Sequence, residues 1–220
     1  IGTDKVANIA QGFGIQNKIS PGPAMALGAS ESTLLEMTGA YAGILNEGVA
    51  VKPYGLTELT IQGEKTPMMV HSNAAGERVI SQRAAGQLTY MMNQVVEAGS
   101  GGKARIDGVE IAGKTGTTQG AKDAWFIGFN SDYVVGVWMG YDDNTKLTGV
   151  TGSGLPTDIW RETMTRVLDG HIPAPLPMFV PPRKVVEPTV NARNPSRKKK
   201  GNDPLRDLAQ QVERDLKKLE

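Results

Sequence analysis

Apolar residues recur at helical spacing in four places along this chain. Val6, Ile9, Ala10 and Phe13 come after Thr3 and Asp4, which suit an N-cap, and predict a short first helix. It lacks partners of its own and reads as the remainder of a larger helical unit, separated from the next element by Pro21-Gly22-Pro23. Thr33-Leu34-Leu35-Glu36 has capping-box form; Leu34, Met37, Tyr41, Ile44 and Leu45 then supply a stripe, and Gly48 suits the stop. Ser81 caps a third helix whose broad face is Ala84, Ala85, Leu88, Met91, Met92, Val95 and Val96, ended by Gly99. Pro156 opens a fourth that runs through Leu168 and ends at Gly170.

Elsewhere the pattern shortens. Residues 49–80 read as short strands and turns punctuated by Pro53, Gly55, Gly63, Pro67 and Gly76. After the turn signal Asp107-Gly108, three strands are predicted over about 109–117, 123–130 and 133–141. Asn130-Ser131-Asp132 joins the last two as a tight hairpin. Helices, then an antiparallel meander, then a helix predict an α+β fold, an antiparallel sheet flanked by helices, over residues 1–170. Seven prolines between Pro173 and Pro195 predict an extended linker over 171–204. Leu205, Leu208, Val212, Leu216 and Leu219 give a short amphipathic helix over 205–220, of a length that is marginal in isolation.

Composition narrows the function classes. At 220 residues the chain holds one sizeable domain. No apolar run approaches the roughly 20 residues of a bilayer span, and no basic-then-apolar leader is visible. The first residue is Ile1, which reads as an excision from something longer. With no cysteine there are no disulfides or thiolate metal sites, and with His71 and His171 alone a histidine-rich metal site is not expected. The net charge of +1 conceals a basic end: residues 183–220 carry a balance of +5, the rest −4. The run Arg197-Lys198-Lys199-Lys200 is read as a solvated tail, and no nucleic-acid partner is expected.

Candidate chemistry centres on Gly113-Lys114-Thr115-Gly116-Thr117-Thr118, at the end of the apolar run Val109-Glu110-Ile111-Ala112. On an edge strand alternate side chains share a face, so Lys114 pairs with Gly116 and Thr115 with Thr117. Gly116 lets a ligand or the opposite wall approach the backbone. A cation and hydroxyl donors suit an acidic ligand end such as a C-terminal carboxylate, and a backbone N–H beyond the triad suits an oxyanion hole.

Two other motifs compete. Gly108 to Thr115 matches the P-loop pattern letter for letter, which keeps nucleotide binding as an alternative. Against it, Lys103-Ala104-Arg105-Ile106-Asp107 is too polar for a buried strand, and Gly-Thr-Thr-Gln-Gly after Thr115 is a poor helix start. Ser100-Gly-Gly-Lys103 and Ser196-Arg-Lys-Lys199 match S-x-x-K, whose chemistry needs both side chains on one helix face with the lysine desolvated. Ser100 comes just after a helix stop and Ser196 lies in a solvated tail, so neither is expected to be a nucleophile. S-x-N does not occur.

Six blocks shift the balance. In order they are Ala26-Leu27-Gly28-Ala29-Ser30-Glu31; Ala40-Tyr41-Ala42; Val95-Val96-Glu97-Ala98-Gly99; Ala112 to Thr118; Asp123-Ala124-Trp125-Phe126-Ile127-Gly128-Phe129; and Val135 to Asp143. Together they resemble the transpeptidase domain of class A penicillin-binding proteins, where K-T-G accompanies S-x-x-K and S-D-N. The resemblance runs from residue 1 to about 170. It implies the penicillin-binding and β-lactamase-like fold, incomplete at its N-terminal side, and a serine acyltransferase acting on the D-Ala-D-Ala end of peptidoglycan stem peptides and acylated by β-lactams.

The resemblance implies substrate binding by Lys114, Thr115, Gly116, Thr117 and Thr118. Lys114 and Thr117 are the catalytic candidates, Lys114 for carboxylate binding and proton traffic, and the Thr117 N–H for the oxyanion. Trp125 and Phe126 would support the site. No cofactor or metal is implied. The implied partners are stem peptides, β-lactams and the upstream part of the same protein that carries the nucleophile; the implied location is the periplasmic or extracytoplasmic face of the membrane, through an N-terminal anchor. Neither the nucleophile nor S-x-N is in the chain, so alone it is expected to be inactive and to expose apolar surface on helices 33–47 and 81–98. A non-catalytic binding module is the second alternative.

Overall fold

The computed structural model describes residues 2–20, 22–28, 30–71 and 76–182. The expected linker beyond Pro182, Ser196 and the helix over 205–220 lie outside the described residues. The elements are α1 (Thr3–Gly12), α2 (Leu34–Leu45), β1 (Glu58–Leu59), β2 (Met69–Val70), α3 (Gln82–Glu97), β3 (Ala112–Thr117), β4 (Asp123–Phe129), β5 (Val134–Gly140) and α4 (Leu155–Leu168). β1 and β2 form a small antiparallel pair; β3, β4 and β5 form an antiparallel sheet in that order. The architecture is α+β, as the element pattern predicts.

Local chemistry sets the helix starts. The Thr33 hydroxyl accepts from Glu36 N–H while the Glu36 carboxylate accepts from Thr33 N–H, closing the expected capping box. That backbone hydrogen bond from Thr33, first among several, holds the Glu36 carboxyl below its ordinary range. Ser81 caps α3 through Ala84 N–H at 3.2 Å. α1 differs: Gly2 stands at its cap with no side-chain hydrogen bond, so Thr3 and Asp4 lie inside the helix.

The sheet is covered on both faces. Phe126 and Gly128 point towards α4, where Phe126 meets Trp160 edge-on with ring centroids 5.3 Å apart. The Trp160 indole N–H donates to the carbonyls of Gly128 and Val135, so the largest buried side chain is also satisfied. Val96, Ala104, Ile111, Met164 and Leu168 complete this core. The opposite face carries Gly136, beside Leu34 and Thr38 of α2, and Phe129, which meets Tyr41 edge-on. Burial pushes the Tyr41 phenol up to about 12. α3 runs along β3 and joins both cores, through Val96 on one side and Met92 on the other.

Three departures from the sequence pattern have simple causes. On α2 the fully buried positions are Gly39, Ala40 and Gly43; the ring of Phe13 lies against Gly43, where a Cβ would come within 2.6 Å. On α3, Met91 is exposed while Thr89 and Asn93 are buried, because the Asn93 amide donates to the Ile111 carbonyl at 2.9 Å and ties the helix to the entry of β3. β3 starts at Ala112 rather than 109, since Val109 pairs with Ile106 across the Asp107-Gly108 turn. The packed body also continues past residue 170 to Pro182: Leu176 is buried, its N–H donates to Glu110, and Phe179 N–H donates to the Gly86 carbonyl.

Two measurements check the packing and the cap. Gly128→Ala puts a methyl 2.8 Å from Phe126 and 2.9 Å from Trp160, and a loss of about 1–3 kcal/mol is expected in urea denaturation; an unchanged midpoint would contradict the packing. Because the Glu36 carboxyl is depressed in the fold, its stabilisation is present above its ordinary range and is lost as pH falls through the folded value. Glu36→Gln should flatten the acid limb of the stability–pH curve, and an unaltered slope would show the capping box to be inert.

Candidate active site

Among the described residues β3 is an edge strand, hydrogen-bonded to β4 on one side only. Its register pairs Lys114 with Ile127, Thr115 with Phe126, Gly116 with Trp125 and Thr117 with Ala124. Thr118 N–H donates to the Asp123 carbonyl at 3.0 Å. In an antiparallel ladder bonded and non-bonded positions alternate, so residues 114, 116 and 118 turn their backbone groups towards β4. Gly113, Thr115 and Thr117 turn theirs outward, and the Thr117 N–H points to the open edge. The Lys114 ammonium lies along that edge and donates to the outward carbonyl of Thr115 at 2.9 Å. No ion pair among the described residues includes Lys114.

Side chains alternate as expected. Thr115 and Thr117 share the face covered by α4, with Gly113; Lys114 and Gly116 share the other. The glycines are set by their neighbours: a Cβ on Gly113 would lie 2.8 Å from the Phe126 ring, and one on Gly116 3.3 Å from Trp125. Phe126 thus sits beneath the motif strand as core, and Trp125 packs beside Trp138 at 6.3 Å.

Each threonine hydroxyl is held by a different element. Thr115 Oγ1 lies 2.7 Å from Ser100 Oγ, in the turn after α3. Thr117 Oγ1 accepts from Gly152 N–H at 3.0 Å. Thr118 Oγ1 accepts from the N–H groups of Lys122 and Asp123 and donates to Asp123 Oδ2, so it closes the β3–β4 turn. Asp123 Oδ1 also accepts from the Trp138 indole at 3.0 Å and links the ends of three strands. Thr118 is therefore engaged in the turn, while Lys114, Thr115 and Thr117 lie together along the strand.

Sequence reasoning missed Ser100, Gly152 and Asp123 as neighbours of the motif. Gly152 lies so close over the strands that a Cβ would sit 2.3 Å from the Gly116 carbonyl and 2.5 Å from that of Trp125. Its own carbonyl accepts from the buried Thr157 hydroxyl at 2.6 Å, which anchors the loop to the first turn of α4. The run Thr151-Gly152-Ser153-Gly154 before Pro156 was the available signal.

The competing motifs resolve structurally. The P-loop reading fails because Gly113-Lys114-Thr115 lie within β3 and no helix starts there. Lys103 donates to Asp158 at 2.9 Å while Ser100 faces Thr115, so this S-x-x-K forms no serine–lysine pair. On the helices expected to face a missing partner, Leu35 is 65 % and Met91 55 % exposed.

The sequence pattern of the penicillin-binding protein transpeptidase domain matches residues 1–164. The chain belongs to this family. It is 30 % identical over 194 residues to penicillin-binding protein 2D of Bacillus subtilis, covering 84 % of this chain and 27 % of that protein. It is 32 % identical to penicillin-binding protein 1A of Rickettsia typhi, over 74 % of this chain and 24 % of that protein. The chain thus spans about a quarter of the length of these relatives. Among solved structures, the penicillin-binding protein PonA1 of Mycobacterium tuberculosis matches with a TM-score of 0.68 and 26 % identity, over 87 % of this chain and 58 % of that one. The same protein in complex with penicillin V matches with a TM-score of 0.66 and 26 % identity, over 79 % and 54 %. The fold is that of penicillin-binding transpeptidase domains.

One substitution tests how the motif strand of this transpeptidase domain is held. Gly152→Ala forces its loop away from β3 and breaks the Thr117 contact, so a stability loss of about 1–3 kcal/mol is expected in denaturant melts. Wild-type stability in this variant would mean that the loop does not rest on the strand.

Proposed function

We propose that this chain is the substrate-holding part of a serine D-Ala-D-Ala transpeptidase that cross-links peptidoglycan and is acylated by β-lactams. The observation that carries the reading is the outward edge of β3. The Lys114 ammonium, the Thr115 and Thr117 hydroxyls and the outward N–H of Thr117 lie along four residues of a strand that, among the described residues, has no hydrogen-bonded neighbour on that side. Such an edge accepts an extended peptide as an added strand. The Lys114 cation, lacking a carboxylate partner among the described residues, suits the terminal carboxylate of a stem peptide. Thr115 and Thr117 donate their hydroxyl protons to the same carboxylate, and Gly116 keeps the strand slim between them.

Catalysis then needs a nucleophile and a place for negative charge. The Thr117 N–H is one donor for the oxyanion formed when the D-Ala-D-Ala carbonyl is attacked. The nucleophile, with its activating lysine, belongs to a segment outside these residues, upstream in the same protein. That segment brings the membrane anchor, and the reaction takes place on the extracytoplasmic side. Among the described residues no helix is long and apolar enough to cross a membrane. Substrate turnover and β-lactam acylation are absent from the isolated chain. Thr118 acts through the β3–β4 turn, keeping Thr117 in register.

A fluorescent penicillin tests this. The isolated chain should remain unlabelled, and the protein that also carries the upstream segment should label. Lys114→Ala in that protein should slow labelling about tenfold to a hundredfold, the range for a lost hydrogen bond to a charged group. Labelling of the isolated chain would overturn the division of labour, and failure of the complete protein to label would overturn the transpeptidase reading.

A further inference from the structure

We infer that Ser100 is a positioning residue of the substrate site: its hydroxyl donates to Thr115 Oγ1, so that the Thr115 proton is left to point at the ligand carboxylate. The inference rests on the reading of the β3 edge as a carboxylate site.

The two motif hydroxyls have parallel surroundings. Thr117 Oγ1 accepts from an N–H, Gly152, which can only donate. With that acceptor direction filled, the Thr117 proton is free to turn outward. Thr115 shares the strand face with Thr117, and its Oγ1 lies 2.7 Å from Ser100 Oγ, the length of a good O–H···O hydrogen bond. A hydroxyl there both donates and accepts. If Ser100 donates, both threonines are held from the protein side by a donor, and both offer a proton to one carboxylate. Two donors on an anion are worth more than one, and each hydroxyl in a chain polarises the next.

The turn that carries Ser100 is built to hold it there. Gly99 and Gly101 flank it, and both press on the last turn of α3. A Cβ on Gly99 would lie 2.9 Å from the Val95 carbonyl, and one on Gly101 3.2 Å from the same atom. Gly101 N–H donates to that carbonyl at 2.9 Å. Three residues on, Lys103 pairs with Asp158 in the first turn of α4 and ties the turn across to the same helix whose entry loop holds Thr117. The serine and lysine that match a nucleophile motif thus act separately: one on the ligand-binding threonine, the other as a strut. Ser100 is exposed, so its truncation removes one hydroxyl without opening the core.

The test uses the complete transpeptidase containing this chain and compares the acylation rate by a penicillin with that by its methyl ester, which lacks the carboxylate charge. Ser100→Ala should slow the free acid about fivefold, within the range for one hydrogen bond, leave the ester unchanged and leave the thermal midpoint unchanged. Ser100→Thr should restore the rate. In a Thr115→Ala background, Ser100→Ala should have no further effect. Equal slowing of acid and ester, no slowing, or additive losses in the double variant would each overturn the role. So would a faster rate in Ser100→Ala, which would mean that Thr115 had been the donor. If the unmodified protein is not acylated at all, the transpeptidase reading falls and this inference with it; acylation with an unmoved acid-to-ester ratio removes the Ser100 role alone.

Discussion

The structure turns on an edge strand that must stay open and yet not move. β3 has a hydrogen-bonded neighbour on one side, and half of its backbone groups face outward. Open edges are mobile and prone to stray pairing, and proteins usually blunt them with bulges, prolines or charge. Here the charge is Lys114, laid along the edge itself, and the rigidity comes from the sides. Asn93 fixes the entry of the strand, Ser100 and Gly152 hold its second half through threonine hydroxyls, and Thr118 with Asp123 closes the turn beyond it. Lys114 covers the outward carbonyl of Thr115, and the Thr117 N–H that would meet a ligand faces the open edge while the side chains behind it are engaged.

That arrangement requires close approach, and close approach requires glycine. Gly113 and Gly128 both lie against the Phe126 ring, and Gly128 also lies against Trp160. The two aromatic rings fill the volume the missing side chains leave, so the height of the strands above α4 is set by ring thickness. Gly152 then sits directly on the backbone of β3 and β4. A methyl at any of these positions would lift one layer from the next, and the hydrogen bonds that join Gly152 and Ser100 to the threonines would lengthen out of range.

Much of this was legible in the sequence, because the signals were local. The Thr33 capping box, the Ser81 cap, the four helices and the hairpin at Asn130-Ser131-Asp132 depend on residues within one turn of each other. Lys114, Thr115 and Thr117 fall on one strand because a local apolar run leads into it, and period-two alternation alone sets the two threonines on one face. Pairing between distant segments left no such local mark. Ser100 looked like a failed nucleophile because its meaning lies 15 residues away in Thr115, and Gly152 drew no reading because its partner lies 35 residues back in Thr117. Small residues misled in the same way. Gly39 and Gly43 carry no hydrophobic signal, yet they are what α2 buries, since the apolar mass comes from Phe13 and Pro53.

On the transpeptidase reading, these constraints explain the division between holding and attacking. Groups that bind a carboxylate work best on a rigid strand whose donors are fixed before the ligand arrives. A serine nucleophile needs a base beside it and a desolvated lysine, which helix spacing supplies and a sheet edge does not. The two requirements therefore belong on different elements, brought face to face across a cleft. β3 would provide one wall of that cleft, with the outward N–H of Thr117 where the oxyanion would form. One donor and a carboxylate clamp are enough to bind a stem peptide in register but not to stabilise its tetrahedral adduct. The second donor and the attacking oxygen have to come from the opposite wall, and so binding on this chain would precede chemistry rather than perform it.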